Sequence, residues 1–340
     1  MTNSKKVGFA VLGLGAIAQS SVLPAFARAK RARLVALISR DKKKAASLAR
    51  KFGARFAYSQ EEYSACLANP EVSAIFIATP QGEHAASTIQ AAQAGKHVLC
   101  EKPLAATVEQ SAAMVQACQK HNVHLMTAYR KYFEPGALFL KQLIRRRELG
   151  RIDVMHTGFS ETFTPGVSPA WLVDPQLSGG GPLMDLGVYC VNTTRWLANE
   201  DPVEVAAQSW VNNPARFSKI EEGITFRLRF PSGMVVLGSS SYATAPSSFL
   251  VVQGSKGWAT LVPAYTMELE RRLIATIGKR RMDRKFKVID EFAVELDAFA
   301  SAIQMNRPVE CDGVQGHRDM IIIRAIYEAA ATRKAVAIQY

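Results

Sequence analysis

Lys102 lies in residues 98–103, where a short apolar run is followed directly by a carboxylate, an ammonium and a proline. Proline disfavours a helical conformation at the residue before it, so Lys102 is predicted to have an extended backbone at the end of a strand. In a parallel sheet, the carboxyl ends of the strands open onto the ligand crevice. An ammonium group at that place could donate a hydrogen bond to a reacting oxygen, but the same three residues also fit a surface ion pair beside a turn.

Asp185 and Tyr189 form a second pair of chemically useful side chains, and they follow three consecutive glycines and Pro182. Their spacing of four residues predicts that both side chains share one face of a helix, which Asn192 continues. A carboxylate and a phenol on one face can orient a hydroxyl group and exchange its proton. Taken alone, the pattern also fits a core helix in which the aspartate caps the first turn and the tyrosine is buried.

A glycine-rich turn follows the apolar run of residues 7–12, and an alanine-rich helical pattern follows the turn. Gly13, Gly15 and Ala18 match the G-x-G-x-x-G/A pattern in the strand–turn–helix context that dinucleotide binding requires. The first glycine permits the tight turn, the second lets the backbone approach a pyrophosphate, and the N–H groups that begin the helix bind the anion. The sequence therefore predicts that the cofactor is bound by Gly13, Leu14, Gly15, Ala16 and Ile17.

The next predicted strand, residues 34–38, ends in Ser39 and Arg40, and Lys44 lies about one turn into the following helix. NAD-specific folds usually place an acidic residue at the end of this strand, where it holds the ribose hydroxyls. A guanidinium and an ammonium group suit a 2′-phosphate instead. Asp41 either opposes this interpretation or only caps the helix. We predict that NADP is preferred over NAD.

The strand predicted at residues 74–78 ends in Thr79 and Pro80, at the sheet edge that carries Lys102. We expect both residues to contact the cofactor there. His84 follows at the start of the next helix, where it either contacts the cofactor or makes a structural hydrogen bond.

Two domains are expected from a chain of 340 residues. Alternating strands and helices predict an α/β Rossmann domain over residues 1–129, with a doubly wound parallel sheet of about six strands. Residues 130–340 predict an α+β domain for substrate binding and oligomerisation, with a large, mostly antiparallel open sheet. One face of this sheet must be covered by helices and the other can pair with a second subunit, so we expect a homodimer or homotetramer. Arg130, at the domain exit, either reaches the cofactor or substrate or pairs with a carboxylate at the domain junction.

The hydrophobic content of 48% and the charged content of 21% are typical of a globular protein. The net charge of +13 comes partly from short, scattered basic runs, which are typical of solvated faces, so we expect no nucleic-acid partner. The five cysteines are scattered and predict no metal site. Residues 1–6 are short and polar and no apolar stretch could span a bilayer, so we expect a cytoplasmic protein without a membrane partner.

The chain resembles the Gfo/Idh/MocA oxidoreductases in residues 13–18, 78–80, 101–103 and 179–189. The resemblance implies a catalytic Lys102, often before a cis proline, and an Asp185 that acts with it. Tyr189 stands where most members have histidine, which is similar to the glucose–fructose oxidoreductase branch. The resemblance further implies cofactor contacts by Glu101, Lys102, Arg130, Trp171 and Tyr265. Leu172 replaces the arginine that often follows the tryptophan, which weakens that sugar contact.

This resemblance implies a sugar oxidoreductase that transfers a hydride between C1 of a glucose-like aldose and NADP, giving a lactone, with or without coupled reduction of a second sugar. Tyr189 would be the acid/base, Lys102 would favour its phenolate form and bind the reacting oxygen, and Asp185 would hold a neighbouring hydroxyl. A keto-sugar or cyclic-polyol oxidoreductase of the same family remains an alternative. A non-enzymatic dinucleotide sensor is a further alternative, although the presence of all three residues argues against it.

Overall fold

The computed structural model describes residues 6–340; residues 1–5, part of the stretch from which we expect no export segment, lie outside the described residues. The chain divides into two compact units. Among the described residues, the first unit comprises 6–130 together with 290–317, and the second comprises 131–289 together with 318–340. This differs from the division expected from the sequence, because residues 290–317 pack with the first unit.

The first unit contains a six-stranded sheet in which each pair of neighbouring strands is parallel. The strand order β3-β2-β1-β4-β5-β6 is that of a doubly wound Rossmann fold and confirms the predicted fold class. The short edge strand β3 has no continuous apolar run and is only half-buried, which explains why its sequence gives a weak signal. The strands are β1 Val7–Leu12, β2 Ala32–Ser39, β3 Phe56–Ser59, β4 Ala74–Ile77, β5 His97–Glu101 and β6 Leu125–Ala128.

Helices connect these strands and cover the sheet. The first connection is a π-helical turn, Ala18–Val22, followed by the short helix α1, Leu23–Ala25. Every residue of β1 and β4 is buried, as expected for strands with helices on both faces, and this is why they appear in the sequence as unbroken apolar runs. The remaining helices between the strands are α2 Lys42–Phe52, α3 Tyr63–Ala68, α4 His84–Gln93 and α5 Val108–Lys120.

The second unit is built on a nine-stranded sheet with the order β14-β13-β12-β11-β7-β10-β9-β8-β15. Its strands pair in antiparallel fashion except for β7 and β10, which are parallel. This confirms the α+β class with a mostly antiparallel sheet. The elements are α6 Pro135–Arg145, β7 Ile152–Ser160, α7 Pro175–Ser178, α8 Val188–Ala198, β8 Glu204–Trp210, β9 Gly223–Arg229, β10 Val235–Ser241, β11 Ser247–Gly254, β12 Gly257–Val262, β13 Arg271–Ile277, β14 Arg280–Phe286 and β15 Val336–Ala337.

Strand register explains which face of this sheet is buried. Val236 pairs with Met155, which pairs with Val252 on the opposite side, and all three are completely buried. The next row contains Leu237 and His156, which are both partly exposed. Because side chains alternate between faces along a strand, one face of the sheet forms the core of the unit and the other is open.

Two further helices follow β14: α9, Glu291–Met305, and α10, Gly313–Thr332. In the first unit, Phe299 of α9 packs against Phe9 of β1, with ring centroids 6.2 Å apart. Asp297 accepts hydrogen bonds from the backbone N–H groups of Lys30 and Arg31, just before β2. These contacts join residues that are more than 260 positions apart in the sequence. No local sequence pattern could therefore predict them.

Candidate active site

The glycine turn after β1 adopts the geometry that the sequence predicts. Gly13 has φ +92°, and a Cβ atom there would lie 2.6 Å from the carbonyl carbon of Ala78, just after β4. Gly15 has no atom within 4 Å of the place where its Cβ would be, and it is exposed together with Ala16, whereas Leu14 is buried. The turn therefore packs tightly on one side and is open on the other, which fits the approach of a pyrophosphate to the backbone.

The residues after β2 include one carboxylate, and the structure shows what it does. Asp41 is the N-cap of α2, and its Oδ1 accepts a hydrogen bond from the N–H of Lys44 at 3.0 Å. The Ser39 hydroxyl accepts from the N–H of Asp41 at 3.2 Å. The guanidinium of Arg40 is largely exposed, 3.8 Å from Glu83. The carboxylate is thus used by the helix, and the exposed guanidinium remains available for a phosphate.

His84 joins two of the turns at the carboxyl edge of the sheet. Its Nε2 lies 2.9 Å from the carbonyl oxygen of Thr79, and its Nδ1 lies 3.1 Å from that of Pro103 and 3.2 Å from that of Leu104. The ring is buried, and burial lowers its pKa despite these carbonyl partners. These contacts fit the alternative of a structural hydrogen bond. The Thr79 hydroxyl is buried, with no hydrogen-bond partner in the part of the chain that the structure describes.

Lys102 follows β5 directly and is half-buried, and the peptide bond between Lys102 and Pro103 is cis, as the family resemblance implies. Glu101 is buried, and one of its carboxylate oxygens accepts a hydrogen bond from the N–H of Lys102 at 3.3 Å. The glycine turn, Thr79 and Lys102 follow β1, β4 and β5, three neighbouring strands of the sheet. The structure therefore brings these predicted residues, with Pro80, to one edge.

Arg130 is buried, and its Nη1 lies 2.6 Å from Oε2 of Glu291 on α9. This agrees with the second alternative given for Arg130, pairing with a carboxylate. Glu295, one turn further along α9, is completely buried, and burial followed by the charge of Glu101 raises its pKa well above the ordinary range. Neither acid was found from the sequence, because α9 is about 190 residues away from Lys102 along the chain.

Asp185 lies in a π-helical turn, Leu183–Gly187, which leads directly into α8 and Tyr189. Within residues 180–197, Asp185 is the one residue that is not buried. The hydroxyl of Tyr242, just after β10, donates a hydrogen bond to Oδ2 of Asp185 at 3.0 Å. Tyr242 was not identified from the sequence, because it lies 57 residues from Asp185 along the chain.

Tyr189 belongs to an aromatic group on the inner side of the second unit. Its ring centroid lies 5.8 Å from that of Phe159 and 6.0 Å from that of Tyr265. Tyr265 is completely buried, and its hydroxyl lies 2.6 Å from Oγ1 of Thr157. Burial raises the pKa of Tyr265 well above its ordinary value. The structure therefore places Tyr265 where it supports Tyr189, and a cofactor contact by Tyr265 stays a prediction.

Two further residues from the sequence analysis lie in the second unit. Trp171 is half-buried in a 3₁₀ turn, Ala170–Val173, and its predicted cofactor contact is not tested by the structure. The Nδ2 of Asn192 donates to the buried Asp319 at 2.8 Å, and Arg195 also pairs with Asp319. Asn192 is thus held in a buried polar network and does not extend the Asp185 face toward solvent.

Residues 6–340 contain no group of three or more histidine, cysteine or acidic side chains placed to hold a metal ion. Among the same residues, none of the helices combines the length and the apolar character needed to cross a membrane.

A doubly wound parallel sheet with an open glycine turn after its first strand defines the class of dinucleotide-binding proteins. Sequence profiles identify residues 7–129 as the oxidoreductase family with an NAD-binding Rossmann fold, and residues 138–260 as a GFO/IDH/MocA C-terminal domain. The chain belongs to the Gfo/Idh/MocA oxidoreductase family, as its motifs suggest.

Relatives of known function agree with this assignment. The chain is 30% identical over 334 residues to D-xylose 1-dehydrogenase [NADP(+)] of Haloarcula marismortui, covering 97% of this chain and 92% of the relative. It is 31% identical to D-xylose 1-dehydrogenase (NADP(+)) 2 of Haloferax volcanii, covering 96% and 98%. The crystal structure of aldose-aldose oxidoreductase from Caulobacter crescentus, complexed with glycerol, superimposes with a TM-score of 0.93 at 33% identity, covering 98% and 100%. The protein is an NAD(P)-dependent oxidoreductase.

Proposed function

We propose that this protein oxidises C1 of an aldose to a lactone with NADP as the hydride acceptor. The observation that carries the proposal is the position of Lys102, which follows β5 at the sheet edge where β1 leads into the open glycine turn. The choice of C1 is supported by the two D-xylose 1-dehydrogenases, which are 30% and 31% identical to this chain over nearly its whole length.

Three side chains carry the protein's part of the reaction in this proposal. The phenolate of Tyr189 accepts the proton of the C1 hydroxyl, and Lys102 favours that phenolate and donates a hydrogen bond to the reacting oxygen. Asp185 accepts a hydrogen bond from a neighbouring sugar hydroxyl and orients the ring. A bound nicotinamide cofactor would supply the acceptor for the hydride from C1. The residues proposed to hold the cofactor are the glycine turn, Ser39, Arg40, Lys44, Thr79 and Pro80.

The preference for NADP is supported by Arg40 and Lys44 at the end of β2 and the start of α2. One carboxylate oxygen of Asp41 caps α2, which gives this acid a structural role beside the two cationic side chains. Replacing Arg40 and Lys44 with serine should raise the KM for NADP at least about tenfold and leave the KM for NAD nearly unchanged. Arg50→Ser, at the exposed far end of α2, is the matched control. Equal effects on both cofactors would contradict the assignment.

The function is tested with a panel of aldoses, ketoses and cyclic polyols, each assayed with NADP and with NAD by the absorbance of the reduced cofactor. We expect turnover with pentoses or hexoses that carry a free C1 hydroxyl, with higher kcat/KM for NADP, and a lactone as the product. Turnover confined to ketoses or cyclic polyols would favour the alternative substrate class. Tight dinucleotide binding without any turnover would favour a sensor.

A coupled reaction is a second candidate, favoured by the 33% identity to an aldose-aldose oxidoreductase. In this reaction one aldose is oxidised, a second sugar is reduced, and the cofactor is regenerated on the enzyme. The test supplies two sugars with NADP at the concentration of the enzyme. Lactone and alditol in equal amounts, far exceeding the cofactor, would support coupling, and product limited to the amount of cofactor would exclude it.

A further inference from the structure

The π-helical turn that carries Asp185 begins without a cap from its own residues. Pro182 precedes the turn, and no side chain at that position accepts a hydrogen bond from the first N–H groups. Glu221 supplies the acceptors instead: its Oε2 accepts from the N–H of Gly181 at 3.1 Å, and its Oε1 accepts from the N–H of Leu183 at 3.0 Å. A carboxylate from 38 residues away therefore satisfies donors that a helix start otherwise leaves open.

The glycines before the turn make this capping possible. The main-chain oxygen of Glu221 lies only 2.6 Å from the place where a Cβ of Gly181 would be, so a larger residue would push Glu221 away. The Tyr327 hydroxyl donates to Oε1 of Glu221 at 2.9 Å, and it occupies the space that a Cβ of Gly180 would need. The close approach of Glu221 and Tyr327 thus explains Gly180 and Gly181.

The Asp185 carboxylate itself is held by Tyr242. The Tyr242 hydroxyl donates to Oδ2 of Asp185 at 3.0 Å, and the tyrosine is almost completely buried. Burial, followed by the charge of Asp185, raises the pKa of Tyr242 well above its ordinary value, which favours the protonated hydroxyl that donates to Asp185. One oxygen of Asp185 is therefore fixed in direction.

We propose that Glu221 and Tyr242 are positioning residues for Asp185: Glu221 fixes the main chain of the turn, and Tyr242 fixes the orientation of the carboxylate. This inference rests on the proposed role of Asp185 in holding a sugar hydroxyl. Its consequence is that substitutions of Glu221 or Tyr242 should lower the efficiency of the sugar step and leave the affinity for the dinucleotide unchanged.

A double-mutant cycle between Tyr242 and Asp185 tests the first part. Tyr242→Phe removes the hydroxyl that donates the hydrogen bond, and Asp185→Asn replaces the carboxylate that accepts it. Tyr340→Phe is the matched control, because its hydroxyl donates to the main-chain oxygen of Pro202. We expect Tyr242→Phe to lower kcat/KM for the aldose at least about tenfold in the wild-type background and less than about twofold in the Asp185→Asn background. The dissociation constant of NADPH and the thermal midpoint should stay within the range of the control.

A pair of adjacent glutamates tests the second part. In Glu221→Gln, one carboxylate oxygen is replaced by an NH2 group. The remaining oxygen can still accept from the N–H of Gly181 or Leu183, but the NH2 group faces the other N–H, which loses its acceptor. Glu222 is also buried and accepts from two N–H groups, those of Asn212 and Asn213, so Glu222→Gln is a control of equal structural severity. We expect both variants to lower the thermal midpoint similarly, and only Glu221→Gln to lower kcat for the aldose, by at least about tenfold.

Several outcomes would overturn the inference. Equal effects of Tyr242→Phe in the two backgrounds would show that its hydroxyl does not act through Asp185. Equal kinetic effects of Glu221→Gln and Glu222→Gln would show that Glu221 contributes only to the stability of the fold and does not position Asp185. Failure of the proposed function has a different signature, since the wild-type protein would then turn over no aldose with either cofactor, whereas failure of the inference leaves wild-type turnover intact.

Discussion

At the scale of single residues, the candidate site contains side chains proposed to act on the substrate and other side chains that hold them in position. Asp185 is partly exposed within an otherwise buried segment, whereas Tyr189 is buried in an aromatic group with Phe159 and Tyr265. Lys102 is held by a turn to which His84 contributes hydrogen bonds. In the proposed reaction the supporting residues only need to hold the catalytic groups rigidly in place. A displacement of a catalytic group by about 1 Å can lower the rate about a hundredfold.

Lys102→Met and Tyr189→Phe should each lower kcat for the aldose at least about a hundredfold, because each removes a group that handles the hydroxyl proton or its oxygen. NADPH affinity, measured by fluorescence, should change less than about threefold, since the proposed binding residues of the pyrophosphate remain. Lys96→Met is a matched control: its ammonium donates to the main-chain oxygens of Asn69 and Val72, before β4. Near-normal turnover in either variant would remove that residue from its proposed role.

At the scale of secondary-structure elements, two glycines of one turn have different tasks. Gly13 is required by the fold because of its positive φ and its contact with the end of β4, whereas Gly15 faces open space. Gly13→Ala should therefore lower the thermal midpoint by several degrees. Gly15→Ala should leave the midpoint nearly unchanged and weaken NADPH binding at least about tenfold. Loss of stability in both variants would contradict this separation; thermal unfolding and fluorescence titration measure the two effects.

Helix α9 carries a carboxyl group that makes stability depend on pH. Because the pKa of Glu295 is raised, the folded protein holds this proton more tightly than the unfolded chain, in which a glutamate titrates at about 4.3. The contribution of the group to the free energy of unfolding is complete below that pH and declines as the pH rises toward the folded-state value.

Glu295→Gln resembles the protonated acid at every pH. The thermal midpoint of this variant minus that of the wild type should therefore be more positive at pH 8 than at pH 5. Glu328→Gln, at an exposed position of α10, should show no such trend. A difference between variant and wild type that is constant with pH would show that Glu295 is ionised in the folded protein throughout this range.

At the scale of the whole molecule, the open face of the nine-stranded sheet is the surface that we propose for oligomerisation. It presents the partly exposed apolar residues Leu237 and Trp258, and a broad concavity of about 520 Å³ lies along it. The edge strand β14 is mostly exposed and rich in lysine and arginine, which disfavours pairing at that edge. Association is thus expected through the face of the sheet and not through the β14 edge.

Leu237→Glu should convert the proposed homodimer or homotetramer into smaller species, because a carboxylate would lose its hydration in a sheet-to-sheet interface. Val288→Glu, at a more exposed apolar position after β14, should leave the assembly unchanged. Light scattering coupled to size-exclusion chromatography measures both. A monomeric wild-type protein would refute the proposed interface.

Much of the first unit could be predicted from local patterns. The apolar runs of β1 and β4, the glycine turn, the cap of α2 by Asp41 and the place of Lys102 directly after β5 each depend on residues within about six positions of one another, so spacing and composition were sufficient. The strands β13 and β14 were not predicted, because their charged residues mask the alternation of an edge hairpin.

By itself, the sequence determined the class of fold, the glycine turn and the candidate pair Asp185 and Tyr189. Only the tertiary structure decided that Arg130 pairs with Glu291, that residues 290–317 belong with the first unit, and that Glu221 and Tyr242 hold the Asp185 turn. The physical reason is the distance along the chain. Motifs are set by backbone geometry over a few residues, whereas a buried charge takes its partner from whichever strand or helix the packing of the core brings beside it.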